Sequence, residues 1–170
     1  VSMMAHEYGA RISQKKVNDL AQHVYAGGWD DNQLRRTMAR YIRYTDGRLM
    51  GQAGAQAQEW KTYASQMGVS VGTMQLRDWA ALTTAGRLTP QDVLSKIQEQ
   101  AASKYDGIAD RIKAGETVEA IAEPYRQSMA EILEINPNDI NIGRDRQIQR
   151  ALQAQSEDGK RHVPMPTWEF

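Results

Sequence analysis

No cysteine occurs in the 170 residues, which excludes disulfides, iron–sulfur clusters, thiolate zinc sites and cysteine nucleophiles together. That absence suits reducing and oxidising surroundings alike and marks no compartment. A single Phe is present, so the core has to come from Ala, Ile, Leu, Val, Met and Tyr. Excess charge is missing too: 21 Lys and Arg balance 21 Asp and Glu. The molecule as a whole is therefore not an electrostatic nucleic-acid binder, and any such binding would need a local patch. No apolar run approaches the roughly 20 residues that cross a bilayer, so no transmembrane segment is expected. Nor does a signal-peptide pattern open the chain. His6, His23 and His162 are far apart and lack HxxxH or HExxH spacing, which argues against a metal site. Gly27-Gly28 has no Lys and Ser/Thr after it, so it reads as a helix stop and not as a phosphate loop. No cofactor is implied.

What is present is polar and helix-forming. A mean hydropathy of −0.66 suits thin helical layers with a large wet surface. Ile12, Val17, Leu20 and Val24 predict an amphipathic helix from about His6 to Ala26. Asp30 or Asp31 caps a second, running to about Tyr44 before the turn "TDGR". An Ala/Gln-rich third helix, "MGQAGAQAQEWKTYASQMG", has Trp60 as its heavy anchor; Gly51 and Gly54 weaken it or permit close approach. Thr73 to Thr84 forms a fourth, carrying Met74, Trp79 and Leu82. In "GRLTPQD", Thr89 is an N-cap and Pro90 takes the first helical position. A long helix follows, its stripe of Val93, Leu94, Ile97, Ala101, Tyr105, Ile108 and Ile112 lasting to about Ala114.

"TVEAIAEPYRQSMAEILEI" predicts two more helices, one capped by Thr117 and one begun by Pro124, with Val118, Ile121, Tyr125, Met129 and Ile132 inward. The outline is that of a DNA-reading helix-turn-helix. A reading helix, however, exposes basic residues near its start. Here Arg126 stands among Glu119, Glu123, Glu131 and Glu134, and two packed helices are the better account. "INPND" is a turn, and Arg144 to Gln155 is a final helix with Ile148, Ala151 and Leu152 inward. No segment alternates as a strand would. The expectation is an all-α, irregular assembly of about six to seven helices: residues 1–86, residues 87–155 and an extended C-terminal arm at 156–170.

The run "IKAGETVEAIAEPYRQSMAEILEINPNDIN", with the arm "VPMPTWEF", resembles long, helix-rich virion proteins of tailed bacteriophages, of the tape-measure or internal ejection type. The resemblance spans about residues 111–170. It implies a place in the virion, in the tail or capsid interior, with other virion proteins as partners, and it implies no catalytic residue. Members of that kind are much longer. The opening "VSMMAHEYG" and the ending "PMPTWEF" fit a segment of a longer polypeptide or a processed product. A second stretch, "SVGTMQLRDWAALT", is similar to the "GLMQ" region of lytic transglycosylases, which cleave peptidoglycan with an upstream catalytic Glu. Glu59 is the nearest upstream carboxylate, but Trp60-Lys61 follows it where the family has Ser, and Thr73 replaces the family's Leu.

Two interaction elements stand out. Arg36, Arg40 and Arg43 share one face of the second predicted helix, and Arg146 and Arg150 pair on the last. Two readings stay open for them: a solvated face paired with nearby acids, or contact with packaged DNA or an acidic subunit. In the arm, Trp168 and Phe170 lie two residues apart and would enter one groove if the arm is strand-like. The function expected is a non-enzymatic structural protein of a phage particle that makes protein–protein contacts and forms a homo-oligomer. A peptidoglycan-degrading domain or its remnant is the alternative, and a local DNA-binding module comes third.

Overall fold

Nine α-helices, two 3-10 turns and one short strand pair make up the described residues, 1–156 and 158–170 of a computed structural model. The all-α expectation holds, with an extended C-terminal segment. The chain divides into two compact units, Val1–Thr62 with Val71–Leu94 and Tyr63–Ser70 with Ser95–Phe170.

In the first unit, α1 (Ser2–Tyr8) and α2 (Gln14–Gly27) replace the single helix expected from His6 to Ala26. Gly9 turns left-handed at φ 76° and ends α1. A Cβ on it would collide with the Met50 carbonyl, so only glycine fits there. Ala10 then bridges to Ile42, and Ser13 caps α2 by accepting from the Lys16 N–H. α3 (Asp31–Ala39) opens on a full capping box, Asp30 with Gln33. It stops short of the expected Tyr44, because Tyr41 and Ile42 give their backbone to the Ala10–Arg11 segment instead. Ala5, Leu20, Leu34 and Met38 form the core of these three helices.

α4 (Gly51–Gln66) buries Trp60 completely, edge-on to Trp79 of α5 (Thr73–Thr84) with ring centroids 6.3 Å apart. Gly51 and Gly54 serve close approach: a Cβ on either would press on the backbone of α1 or of Leu49. α5 keeps its expected bounds but buries Leu76 with Trp79 and Ala80. Met74, expected inward, points to solvent. α6 (Pro90–Lys104) starts as its sequence dictates, with Thr89 and Asp92 exchanging hydrogen bonds of 3.1 and 2.7 Å.

In the second unit, Ile97, Ala101, Tyr105, Ile108 and Ile112 are all buried, as the stripe requires. The helix carrying them is nevertheless divided. Tyr105 leaves helical geometry at φ −118°, Asp106–Ile108 forms a 3-10 turn, and α7 covers Ala109–Lys113. Polar contacts hold the break in place: the Tyr105 hydroxyl donates to the Gly68 carbonyl at 2.9 Å and accepts from Gln149 at 3.1 Å.

The opposite correction applies downstream. α8 (Val118–Leu133) is one helix with Pro124 inside it, not two helices meeting at Pro124. An interior proline costs about 3 kcal/mol. Burial of Val118, Ile121 and Tyr125, each worth about 1.5–3 kcal/mol, outweighs that cost. Asp145 caps α9 (Arg146–Leu152), which buries Ile148, Ala151 and Leu152. After it, β1 (Ala154–Gln155) pairs antiparallel with β2 (His162–Val163), a small ladder where no β structure was expected.

Candidate functional site

The C-terminal segment is held by α8, α9 and the 3-10 turn before α7. Tyr125 on α8 donates its hydroxyl to the Met165 carbonyl, and its ring meets Phe170 edge-on at 5.2 Å between centroids. Burial pushes this phenol above its ordinary pKa, against the opposing charge of Arg111. The Met165 N–H donates to the Ala151 carbonyl at 2.7 Å. Gly107 lets the segment pass, since a Cβ there would sit 3.0 Å from the His162 backbone and from the Leu152 carbonyl. His162 Nδ1 lies 2.8 Å from Asp106 Oδ2, and this bond holds the Asp106 carboxyl below its ordinary pKa.

Phe170 docks, then, but Trp168 does not. Trp168 is 85% exposed, which corrects the expectation that both aromatics enter one groove. The physical reason is local. The Glu169 N–H bonds back to the Pro166 carbonyl, so residues 167–169 turn and the two-residue alternation of a strand is lost.

The expected arginine stripe is also redrawn. Arg36 lies on α3, Arg40 is its C-cap and Arg43 lies beyond it, so the three share no helix face. Arg146 and Arg150 do share a face of α9. All five are exposed, and none forms an ion pair among the described residues.

The second unit also has an apolar surface that sequence reasoning missed. Ile132 was expected in the core but is 70% exposed, and Leu133 and Ile135 are exposed with it. The exposed Glu131 and Glu134 interleave with this apolar cluster. The signal was in "EILEIN": three large apolar residues crowd the end of the helix, interleaved with Glu131 and Glu134, just ahead of the "NPND" turn.

Cavities open elsewhere among the described residues. One, about 310 Å³ in the second unit, is bordered by Arg126, Glu119 and Asn141. There Arg126 is already paired with Glu123 and, at 4.0 Å, with Glu119. Another, about 250 Å³, lies beside Gly9 and Met50. A third, lined by Arg35 and Thr83, belongs to the first unit. Glu59 stands exposed on α4 and lines none of them. A general acid works from a cleft that positions its substrate, and none of these three cavities borders Glu59. Among the described residues no group of His, Asp or Glu is arranged to hold a metal ion, and no helix is long and apolar enough to cross a membrane.

No protein-family model, no curated protein and no solved structure matches this chain.

Proposed function

We propose that the chain is a non-enzymatic structural protein of a bacteriophage particle, in the tail or inside the capsid, working through contacts between copies of itself and with other virion proteins. The observation that carries the interaction reading is the exposed apolar end of α8, with Ile132, Leu133 and Ile135 uncovered. A second copy suits it by charge. Glu131 and Glu134 flank the apolar residues, while Arg146 and Arg150 of the same unit are exposed without ion pairs among the described residues. Charges of opposite sign on one unit favour self-complementary packing. The phage assignment rests on the sequence resemblance over about residues 111–170.

Sedimentation equilibrium tests the first part. The chain should associate reversibly, and Ile132→Asp with Leu133→Asp should weaken association by at least about tenfold while the far-UV spectrum is kept. A monomer at all concentrations would refute self-association. Mass spectrometry of purified particles tests the second part, and absence of its peptides from particles would overturn the virion assignment. Salt-dependent binding to duplex DNA, lost on Arg146→Gln with Arg150→Gln, would favour packaged DNA as the partner of those arginines.

A further inference from the structure

Arg35 lies midway along α3, its guanidinium carbon 5.6 Å from the centroid of the Tyr8 ring. The ring supplies a cation–π contact, yet Arg35 has no ion pair among the described residues and its Nε is buried without a hydrogen-bond partner. Thr83, near the end of α5, is only 8% exposed, and its hydroxyl is likewise buried and unpartnered. Both residues line the same cavity of about 300 Å³, with Gln52, Gln56, Thr84 and Thr89 around it. Buried polar groups are ordinarily satisfied. Arg35 and Thr83, which carry such unpartnered atoms, come from different helices and line one cavity, where the Arg35 guanidinium and the surrounding Gln and Thr side chains suit a polar ligand.

We propose that this cavity binds a small hydroxylated monocarboxylate, a molecule of sugar-acid size. The guanidinium fork of Arg35 matches a carboxylate in two parallel hydrogen bonds. It is the only charge in the lining among the described residues, so one negative charge balances it and a dianion would be left partly uncompensated. No Asp or Glu lines the cavity, so an ammonium group would find no counter-charge and an amino acid is disfavoured. The glutamine amides and threonine hydroxyls both donate and accept, as a row of ligand hydroxyls does in return. The volume equals roughly ten waters, the small end of ligand sites.

An NMR titration at constant ionic strength tests this on the full chain, with gluconate, acetate and inorganic phosphate as probes. Gluconate should shift the Arg35 Nε–Hε and Thr83 methyl resonances saturably, with acetate and phosphate each binding about tenfold more weakly. Arg35→Gln should weaken gluconate by at least about tenfold, and the isosteric Thr83→Val several-fold with an unchanged melting temperature. If Arg35→Gln fails to fold, Thr83→Val carries the test alone. Absence of saturable shifts, or affinity unchanged in the folded variants, would mean that water alone fills the cavity and would overturn the proposal. Phosphate binding more tightly than gluconate would overturn the monocarboxylate assignment.

Discussion

Tyr125 does two tasks with one side chain, closing the second unit's core with its ring and tethering the C-terminal segment with its hydroxyl. Tyr125→Phe keeps the ring contact with Phe170 and leaves the Met165 carbonyl without its donor. It should lower stability by about 1 kcal/mol and speed amide exchange at His162, Val163 and Met165. Trp168→Ala, by contrast, should change monomer stability by less than about 0.5 kcal/mol, because its ring is already in water. Thermal melts of the two variants separate these effects. Asp106 adds a pH dependence of definite sign. Its pKa is lowered from 3.8 by the bond from His162, so the contact contributes above the ordinary value and is lost as pH falls through the lowered one. The protection factors of His162 and Val163, with intrinsic exchange rates divided out, should therefore fall as pH drops below the ordinary carboxylate range, and Asp106→Asn should abolish that fall.

Among the elements, α8 departs most from local preference. Pro124 removes one hydrogen bond from its middle, and Glu134 ends it in a left-handed conformation at φ 54°, unusual for a residue with a side chain. Pro124→Ala should stabilise by about 1–2 kcal/mol, the helix gain less the greater freedom of the unfolded chain. Glu134→Gly should add about 1 kcal/mol for relieved backbone strain. Denaturant midpoints of both variants check this, and a loss in either would contradict the account of the helix.

These same features show what sequence could reveal. Caps were legible because their chemistry is local: Thr89, Thr117 and the glycine-bounded α5 all fall where read. So was the buried stripe from Ile97 to Ile112. Breaks were not, because what divides that stripe is a hydrogen bond from Tyr105 to Gly68, residues distant in sequence. The fusion at Pro124 escaped for the same reason, since packing overrode a local signal. The docking of Phe170 and the shared helix face of Arg146 and Arg150 could be read in advance, whereas the cavity of Arg35 and Thr83 joins helices whose meeting no periodicity encodes.

For the whole molecule, zero net charge does not mean an even surface. Separate acidic and basic groups make the proposed association part electrostatic and part apolar. Raising salt from about 50 to about 500 mM should weaken it several-fold without abolishing it, which sedimentation at the two salt concentrations would show. Complete insensitivity to salt would remove the arginines from the interface.

The interleaving of the two units has a consequence for synthesis on the ribosome. Residues 63–70 belong to the second unit, yet the chain returns to the first before making the rest of it. The Gly68 carbonyl must wait for Tyr105, 37 residues later, which is about two to seven seconds at ordinary elongation rates. During that interval residues 63–70 lack most of the unit to which they belong. No single stop codon or protease cut separates the two units cleanly: a stop after Leu94 keeps the first whole but strands residues 63–70 of the second on it, and a cut after Thr62 divides the first.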